Sequence, residues 1–264
     1  MLLALNCTEE LLQVVLGQDG RVAASLETGN GGKVNAILAP AVAAMLSQAG
    51  IRPGELSAVA CVRGPGSFTG VRLGLAFCHG LCLAAGVPLA GLDYLPLLAA
   101  NALAGRENAD GPPELHVLTY SRRAKVYHQA FAGDTPLGPP LDLPVDQALA
   151  LVNARAAQVA GCARGIGNAG APGAGAVRLL AVGSGLARNA EAFQALDPRF
   201  ERLPHLNPTP EALLLAASAA PATGPPVDVL YLRGSDAEEN FLEFTALRGL
   251  DAREATRRLK KAME

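Results

Sequence analysis

The chain begins with three extended runs before any helix can start. Leu2–Asn6 and Leu12–Leu16 are apolar, GQDG at Gly17–Gly20 is a hairpin turn, and Arg21–Leu26 reads as the returning strand. Val34–Ala49 then carries a helical pattern, stopped by Gly50 with Pro53 beyond it. Ser57–Arg63 reads as a buried strand, Phe68–Ala85 as a helix ended by Gly86, Pro88–Gly91 as a strand and Tyr94–Leu103 as a helix. The order is β-β-β-α-β-α-β-α.

The second half repeats that order. Leu115–Tyr120 and Val126–Ala132 are strands around the turn SRRAK, and a proline-broken extended segment ends near Leu143. Helix Val145–Ala157, strand Leu179–Val182, helix Leu186–Leu196, strand Phe200–Leu203 and helix Pro210–Ala219 follow. A doubled order of this kind predicts a duplicated α/β fold, although the two halves share no visible sequence identity. The expected domains are residues 1–110 and residues 111–264. The second carries a Gly/Ala-rich insert at 161–176, expected as a surface loop, and a C-terminal tail that packs back on the first.

Composition narrows the function. Among 264 residues, 50% are apolar and only 17% charged, enough for a sizeable core with apolar surface left over. A net charge of -2 gives no general attraction to nucleic acid or anionic membrane. The five cysteines form no CxxC pair and read as reduced core residues. The N-terminal MLLALNCTEELLQ lacks a basic leader region, and the apolar run from Phe68 contains Arg72 and His79. The expected location is the cytoplasm, with no membrane contact.

The stretch RGPGSFTGVRLGLAF, Arg63–Phe77, opens like a phosphate loop. It lacks the lysine of GxxxxGK[ST], and Gly64, Gly66 and Gly70 miss the GxGxxG spacing by one residue. Shape explains more of it: Pro65 and Gly66 turn the chain, with Gly66 expected at a positive φ, and Ser67 caps the helix. The four histidines, His79, His116, His128 and His205, include no pair four apart, and Cys78 with Cys82 is too few ligands for zinc. Ser67 and Ser184 have no partner placed by sequence to activate them. No metal site and no catalytic residue is expected.

GPGSFTGVRLG at Gly64–Gly74 closely resembles the signature of the bacterial TsaB (YeaZ) family, which acts in making threonylcarbamoyladenosine in tRNA. SRRAKVY at Ser121–Tyr127 and YLRGSDAEEN at Tyr231–Asn240 are similar to two further blocks of that family. The resemblance implies the actin-like, Hsp70-like ATPase superfold. It also implies a non-catalytic partner of the TsaD-like paralogue, which transfers the threonylcarbamoyl group and is helped by the TsaE-like ATPase. On that reading tRNA is met only through the complex. No cofactor is held by this chain alone, and the partner interface is the place for ADP or ATP. A nucleotide-dependent kinase or a stand-alone peptidase of the same superfold is the alternative. The sequence departs from the family at Asn6, where many relatives have Asp, in GGKVNA and near Tyr120. In nucleotide-binding relatives of the superfold, a turn such as Gly183–Gly185 holds adenosine.

The signature loop residues are thus Gly64, Pro65, Gly66, Ser67, Phe68, Thr69, Gly70, Arg72 and Gly74, with a structural or interface role. Helices Val34–Ala49 and Phe68–Ala85 are apolar nearly all round, more than packing on one side of a sheet requires. They are expected to form the partner-docking surface through Ala36, Ala43, Gly70, Gly74, Phe77, Leu81 and Ala84. Without the partner, the same surface should drive homodimerisation.

Overall fold

Strand β1 (Leu2–Asn6) pairs antiparallel with β2 (Leu11–Gln18), and β2 with β3 (Arg21–Gly29). Helix α1 (Val34–Gln48) leads to β4 (Ala58–Gly64), which runs parallel to β1. Helix α2 (Phe68–Ala85) leads to β5 (Leu89–Asp93), parallel to β4, and α3 (Tyr94–Leu103) closes the half. The sheet order is β3-β2-β1-β4-β5.

The second half is built on the same plan. Strands β6 (Glu114–Arg122) and β7 (Lys125–Ala132) form the antiparallel pair. Short strands β8 (Thr135–Pro136) and β9 (Leu141–Pro144) both lie on β7. After α4 (Val145–Gly165), β10 (Leu179–Val182) runs parallel to β6. After α5 (Ser184–Arg188), β11 (Phe200–Arg202) runs parallel to β10, and α6 (Pro210–Ala219) follows. The order β8-β7-β6-β10-β11 matches the first sheet strand for strand. This is the duplicated actin-like α/β fold. The computed structural model describes residues 1–29, 31–106, 111–165, 177–204, 207–224, 226–232, 251 and 257. Met1–Leu230 form one compact unit, and Tyr231–Glu264 a second.

Both faces of the first sheet are covered, which is why β1 and β4 read as continuous apolar runs. Leu3, Leu5 and Cys7 point with Val59 and Cys61 into a core closed by Leu38, Val42 and Met45 of α1 and Leu75 and Cys78 of α2. The opposite face receives α6, the last helix of the other half. Gly17 on β2 leaves room there for the Leu214 side chain of α6. In turn α3, the last helix of the first half, packs on β6 and β7 as well as on β4 and β5. The closing helices thus reach across and meet each other.

Two predicted elements differ. Helix Leu186–Leu196 is instead the five-residue α5 followed by a 3-10 turn at Ala192–Ala195. Asn189 stops α5: its side-chain amide (2.9 Å) and its backbone N–H (3.1 Å) both donate to the Gly185 carbonyl. Helix α4 extends to Gly165, so the insert expected as loop from residue 161 begins as helix. Residues 166–176, most of the YLRGSDAEEN block, His205 and nearly all of the basic tail lie outside the described residues.

Candidate functional site

The signature loop is built by close approach. Gly64 has φ 115°, and a Cβ there would lie 2.9 Å from the Leu230 carbonyl. Ser67 caps α2 by accepting from the Gly70 N–H (3.2 Å). Gly66, expected at positive φ, is not in that region. It is glycine because a Cβ would meet the Thr8 carbonyl at 2.4 Å. The loop is held to the β1–β2 turn by Ser67 N–H donating to that same carbonyl at 2.6 Å.

Gly70 and Gly74 require a correction as interface residues. Both are buried, facing β1 rather than solvent. A Cβ on Gly70 would lie 2.2 Å from the Cys7 carbonyl, and one on Gly74 3.1 Å from the Cys7 sulfur. They let the helix settle onto the sheet. Around them Cys7, Cys61, Cys78 and Cys82 are buried free thiols, and burial pushes Cys82 up to about 11. The cluster is inert packing.

The other named interface positions face outward. Ala36 and Ala43 on α1 and Ala84 on α2 are exposed, and Phe77 and Leu81 are half-buried. α1 and α2 touch. On α1 the exposed positions Ala36, Ala39, Pro40, Ala43 and Ala44 are all small and uncharged, with exposed Asn35, Ser47 and Gln48 at the two ends of the helix. On α2 they are Ala76, Gly80, Leu83 and Ala84, and Leu83 is 73% exposed. Thr69 and Arg72 lie at one end, the Arg72 guanidinium 3.7 Å above the Phe68 ring. Leu83 is absent from the sequence-based set. The stripe 76-80-83-84, set against the buried 71-75-78-82, would have found it. Among the described residues α2 is also the helix long and apolar enough to cross a membrane, with 33% of it buried. Its remaining apolar surface is this outer face.

A second feature is the cleft turn between β1 and β2. Asn6 is fully buried and bonded within the chain. Its Oδ1 accepts from the Thr8 N–H (3.0 Å) and hydroxyl (2.6 Å), and its amide donates to Gln13 Oε1 (2.7 Å). Gln13 donates onward to Glu27 (2.5 Å) and to the Pro208 carbonyl (2.7 Å). The amide at position 6 therefore shapes the turn. Beyond it, Glu9 accepts a hydrogen bond from the Ser184 hydroxyl, and Glu10 pairs with Arg188 at 2.5 Å. Ser184 accepts from the Tyr120 N–H (2.9 Å). Burial raises the Glu9 carboxyl to about 7, against the Ser184 hydrogen bond and Arg188, which lower it. These groups line an open cavity of about 360 Å³ with Leu11, Gly29 and Asn207. Sequence reasoning missed Glu9, whose only signal is an acidic pair in an apolar hairpin.

A third cluster lies inside the second half. Arg155 of α4 donates to Glu114 at 2.7–2.9 Å, and Glu114 accepts from His116 Nε2 at 3.0 Å. His116 Nδ1 and His128 Nε2 share a hydrogen bond of 3.0 Å, and His128 Nδ1 is buried without a partner among the described residues. Burial would raise the Glu114 carboxyl, but the His116 and Arg155 hydrogen bonds outweigh it and hold it at about 2. Burial, then His116, pulls His128 down to about 3. The pair could have been found from the hairpin register, where Leu118 faces His128 and His116 faces Ala130. No group of three or more His, Cys, Asp or Glu among the described residues is placed to hold a metal ion.

Comparison with known proteins bears on these features. The family model described as TsaD, tRNA N6-adenosine threonylcarbamoyltransferase, matches residues 33–159. The tRNA threonylcarbamoyladenosine biosynthesis protein TsaB of Escherichia coli (strain K12) is 38% identical over 133 residues, 50% of this chain and 55% of that protein. TsaB of Bacillus subtilis (strain 168) is 37% identical over 62 residues, 24% of this chain and 27% of that one. Over about half its length the chain is thus similar to the TsaB protein of Escherichia coli. It spans about half the length of the E. coli relative and less of the others. A solved Pseudomonas aeruginosa protein described as similar to peptidase YeaZ shares the fold, with TM-score 0.64 and 24% identity over 88% of this chain and 99% of its own. The transferase of Nitratidesulfovibrio vulgaris (strain DP4) is 42% identical over 67 residues, 25% of this chain and 19% of its own. TsaB-family and transferase sequences thus both match.

Proposed function

We propose that this chain is the non-catalytic partner subunit of a TsaD-type transferase, acting in threonylcarbamoylation of the adenosine beside the tRNA anticodon. The observation that carries the reading is the bare outer face of α1 and α2, with Leu83 73% exposed amid Ala36, Ala43, Ala76 and Ala84. A contiguous apolar face of this kind marks an interaction site. Two further features support a partner over a catalyst. The four histidines include no pair spaced four apart, and Asn6 spends its amide on its own turn. In this reading the paralogous transferase docks on that face, a TsaE-like ATPase assists, and ADP or ATP belongs to the shared interface. The tRNA is met through the complex, in the cytoplasm. Without the transferase, two copies of the chain use the same face.

The test is purification alone and with the transferase, followed by mass and transfer activity. The reading expects a dimer alone, a heterodimer together, and activity only in the mixture. Turnover by this chain alone, or a mixture that never associates, would overturn it.

A further inference from the structure

The end of α2 carries a knob and a socket close together. Leu83 is the knob: it is 73% exposed and stands beside the small residues Ala76, Gly80 and Ala84. The socket is an open cavity of about 420 Å³, lined by Leu81, Ala84 and Ala85 of α2 and by Arg52, Pro53 and Gly54 of the turn before β4. Leu83 is not part of that lining, so the chain does not fill the socket with its own knob.

Both walls of the socket are fixed by the fold. One is the 3-10 turn Pro53–Glu55, where the Arg52 N–H donates to Glu55 Oε2 at 2.7 Å and the Glu55 N–H to the Arg52 carbonyl at 2.9 Å. Leu56 then enters the core, and the Ser57 N–H donates to the Met1 carbonyl at 2.7 Å. The other wall is the last turn of α2, where Gly86 at φ 70° donates to the Cys82 carbonyl at 2.9 Å and Val87 is buried. A preformed socket takes a side chain with little ordering cost. The Arg52 guanidinium is balanced by Glu55 at 3.3 Å, so the rim presents no unpaired charge to an apolar group.

Gly80 is unlike Gly70 and Gly74. Those two are crowded by Cys7, whereas a Cβ on Gly80 would meet nothing within 4 Å. Packing within the chain gives no reason for a glycine in the middle of α2, where it weakens the helix.

We propose that Leu83 of a second copy seats in this socket, and that the second copy's socket takes Leu83 of the first in return. A knob and a socket on one face make that face self-complementary, as a two-fold contact requires. Gly80 keeps the helix surface low beside the knob, so two α2 backbones come close enough for leucine to reach. This arrangement rests on the α1–α2 docking face proposed above and names the side chain that anchors a second copy there.

The test is a mixing experiment on the full chain, read by analytical ultracentrifugation. Leu83→Ala removes the knob and leaves the socket. Gly54→Leu fills the socket and leaves the knob; a Cβ at Gly54 has only the Ala85 carbonyl near it, at an ordinary 3.6 Å. Ala84→Leu fills the socket from its other wall. Each variant alone should self-associate at least about tenfold more weakly than the wild type. Leu83→Ala mixed with either filling variant should form a heterodimer at least about tenfold tighter than the variants form alone, because one intact knob then meets one intact socket. Thermal unfolding of each variant separates a filled socket from a lost fold. A monomeric wild type, filling variants that associate normally, or a mixture no tighter than its parts overturns the proposal. Leu83→Glu then separates the two readings: blocked association leaves the α1–α2 face standing without this seat, and normal association removes both.

Discussion

Gly64 and Gly183 stand at the same point of the two halves, where the strand parallel to the first one ends and a helix begins. Each has a positive φ, 115° and 123°. In each half the turn that follows lies against a backbone carbonyl of the leading hairpin: Gly66 and Gly70 against Thr8 and Cys7 just beyond β1, Gly183 and Gly185 against Leu118 within β6. The serine that enters the helix is then used differently. Ser67 satisfies its own helix, and α2 runs for 18 residues with an outer face to spare. Ser184 spends its hydroxyl on Glu9 across the cleft, and α5 stops after five residues. The two halves share the backbone device and use it differently: one helix presents a surface, and the other half's serine bonds across to the β1–β2 turn.

The sharpest break in this comparison is steric and should hit both halves alike. Gly70→Val and Gly183→Val each put a side chain on a backbone carbonyl, and the second also forces a left-handed φ. Each should cost about 3–5 kcal/mol in denaturant unfolding. A loss below about 1 kcal/mol at either site would mean that the close approach is not required.

The surface half should break without loss of stability. Leu83→Glu, Ala84→Arg and Ala43→Arg should each weaken self-association and transferase docking by at least about tenfold, read by analytical ultracentrifugation. Thermal unfolding of the monomer should move by less than about 0.5 kcal/mol. If all three variants associate normally, the α1–α2 face is not the contact.

Ser67→Ala should cost about 1 kcal/mol as a lost cap. Transfer activity in the complex should follow stability alone. Lost activity with stability intact would give the loop a chemical role and bring the two serines closer in kind.

The smallest effect at neutral pH concerns His128. Folded, it stays neutral down to about 3, whereas the unfolded chain takes the proton near 6.5. The unfolded state binds more protons between those values, so this contribution to stability is present above 6.5 and fades as pH falls below it. His128→Asn should flatten the stability profile between pH 6.5 and 4, measured by denaturant titration at each pH. An unchanged slope would place the acid sensitivity elsewhere, with Glu114 the next group to examine.

Much of the fold was legible because strand and helix periods show in the residues themselves. Leu2–Asn6, Phe68–Ala85, Tyr94–Leu103, Leu179–Val182 and Pro210–Ala219 have the predicted bounds. The misreading at Leu186–Leu196 came from an apolar pattern that ran past Asn189, whose side chain ends the helix locally. The site was less legible. Ala36, Ala43 and Ala84 face outward as expected, but Gly70 and Gly74 do not, because small residues serve either a sheet or a partner and composition is the same in both cases.

The sequence by itself determined the doubled strand and helix order, the cap at Ser67 and an excess of apolar helix surface. These are set by residues within a turn or two of each other along the chain. Tertiary structure alone decided which face of α2 meets β1, why Gly66 must be glycine, and that α3 and α6 cross to the other half's sheet. It also decided that Glu9 meets Ser184, 175 positions away, and that His116 meets His128. The reason is physical: a close approach or a buried charge depends on what the far chain brings to within a few ångströms, and no local period encodes that distance.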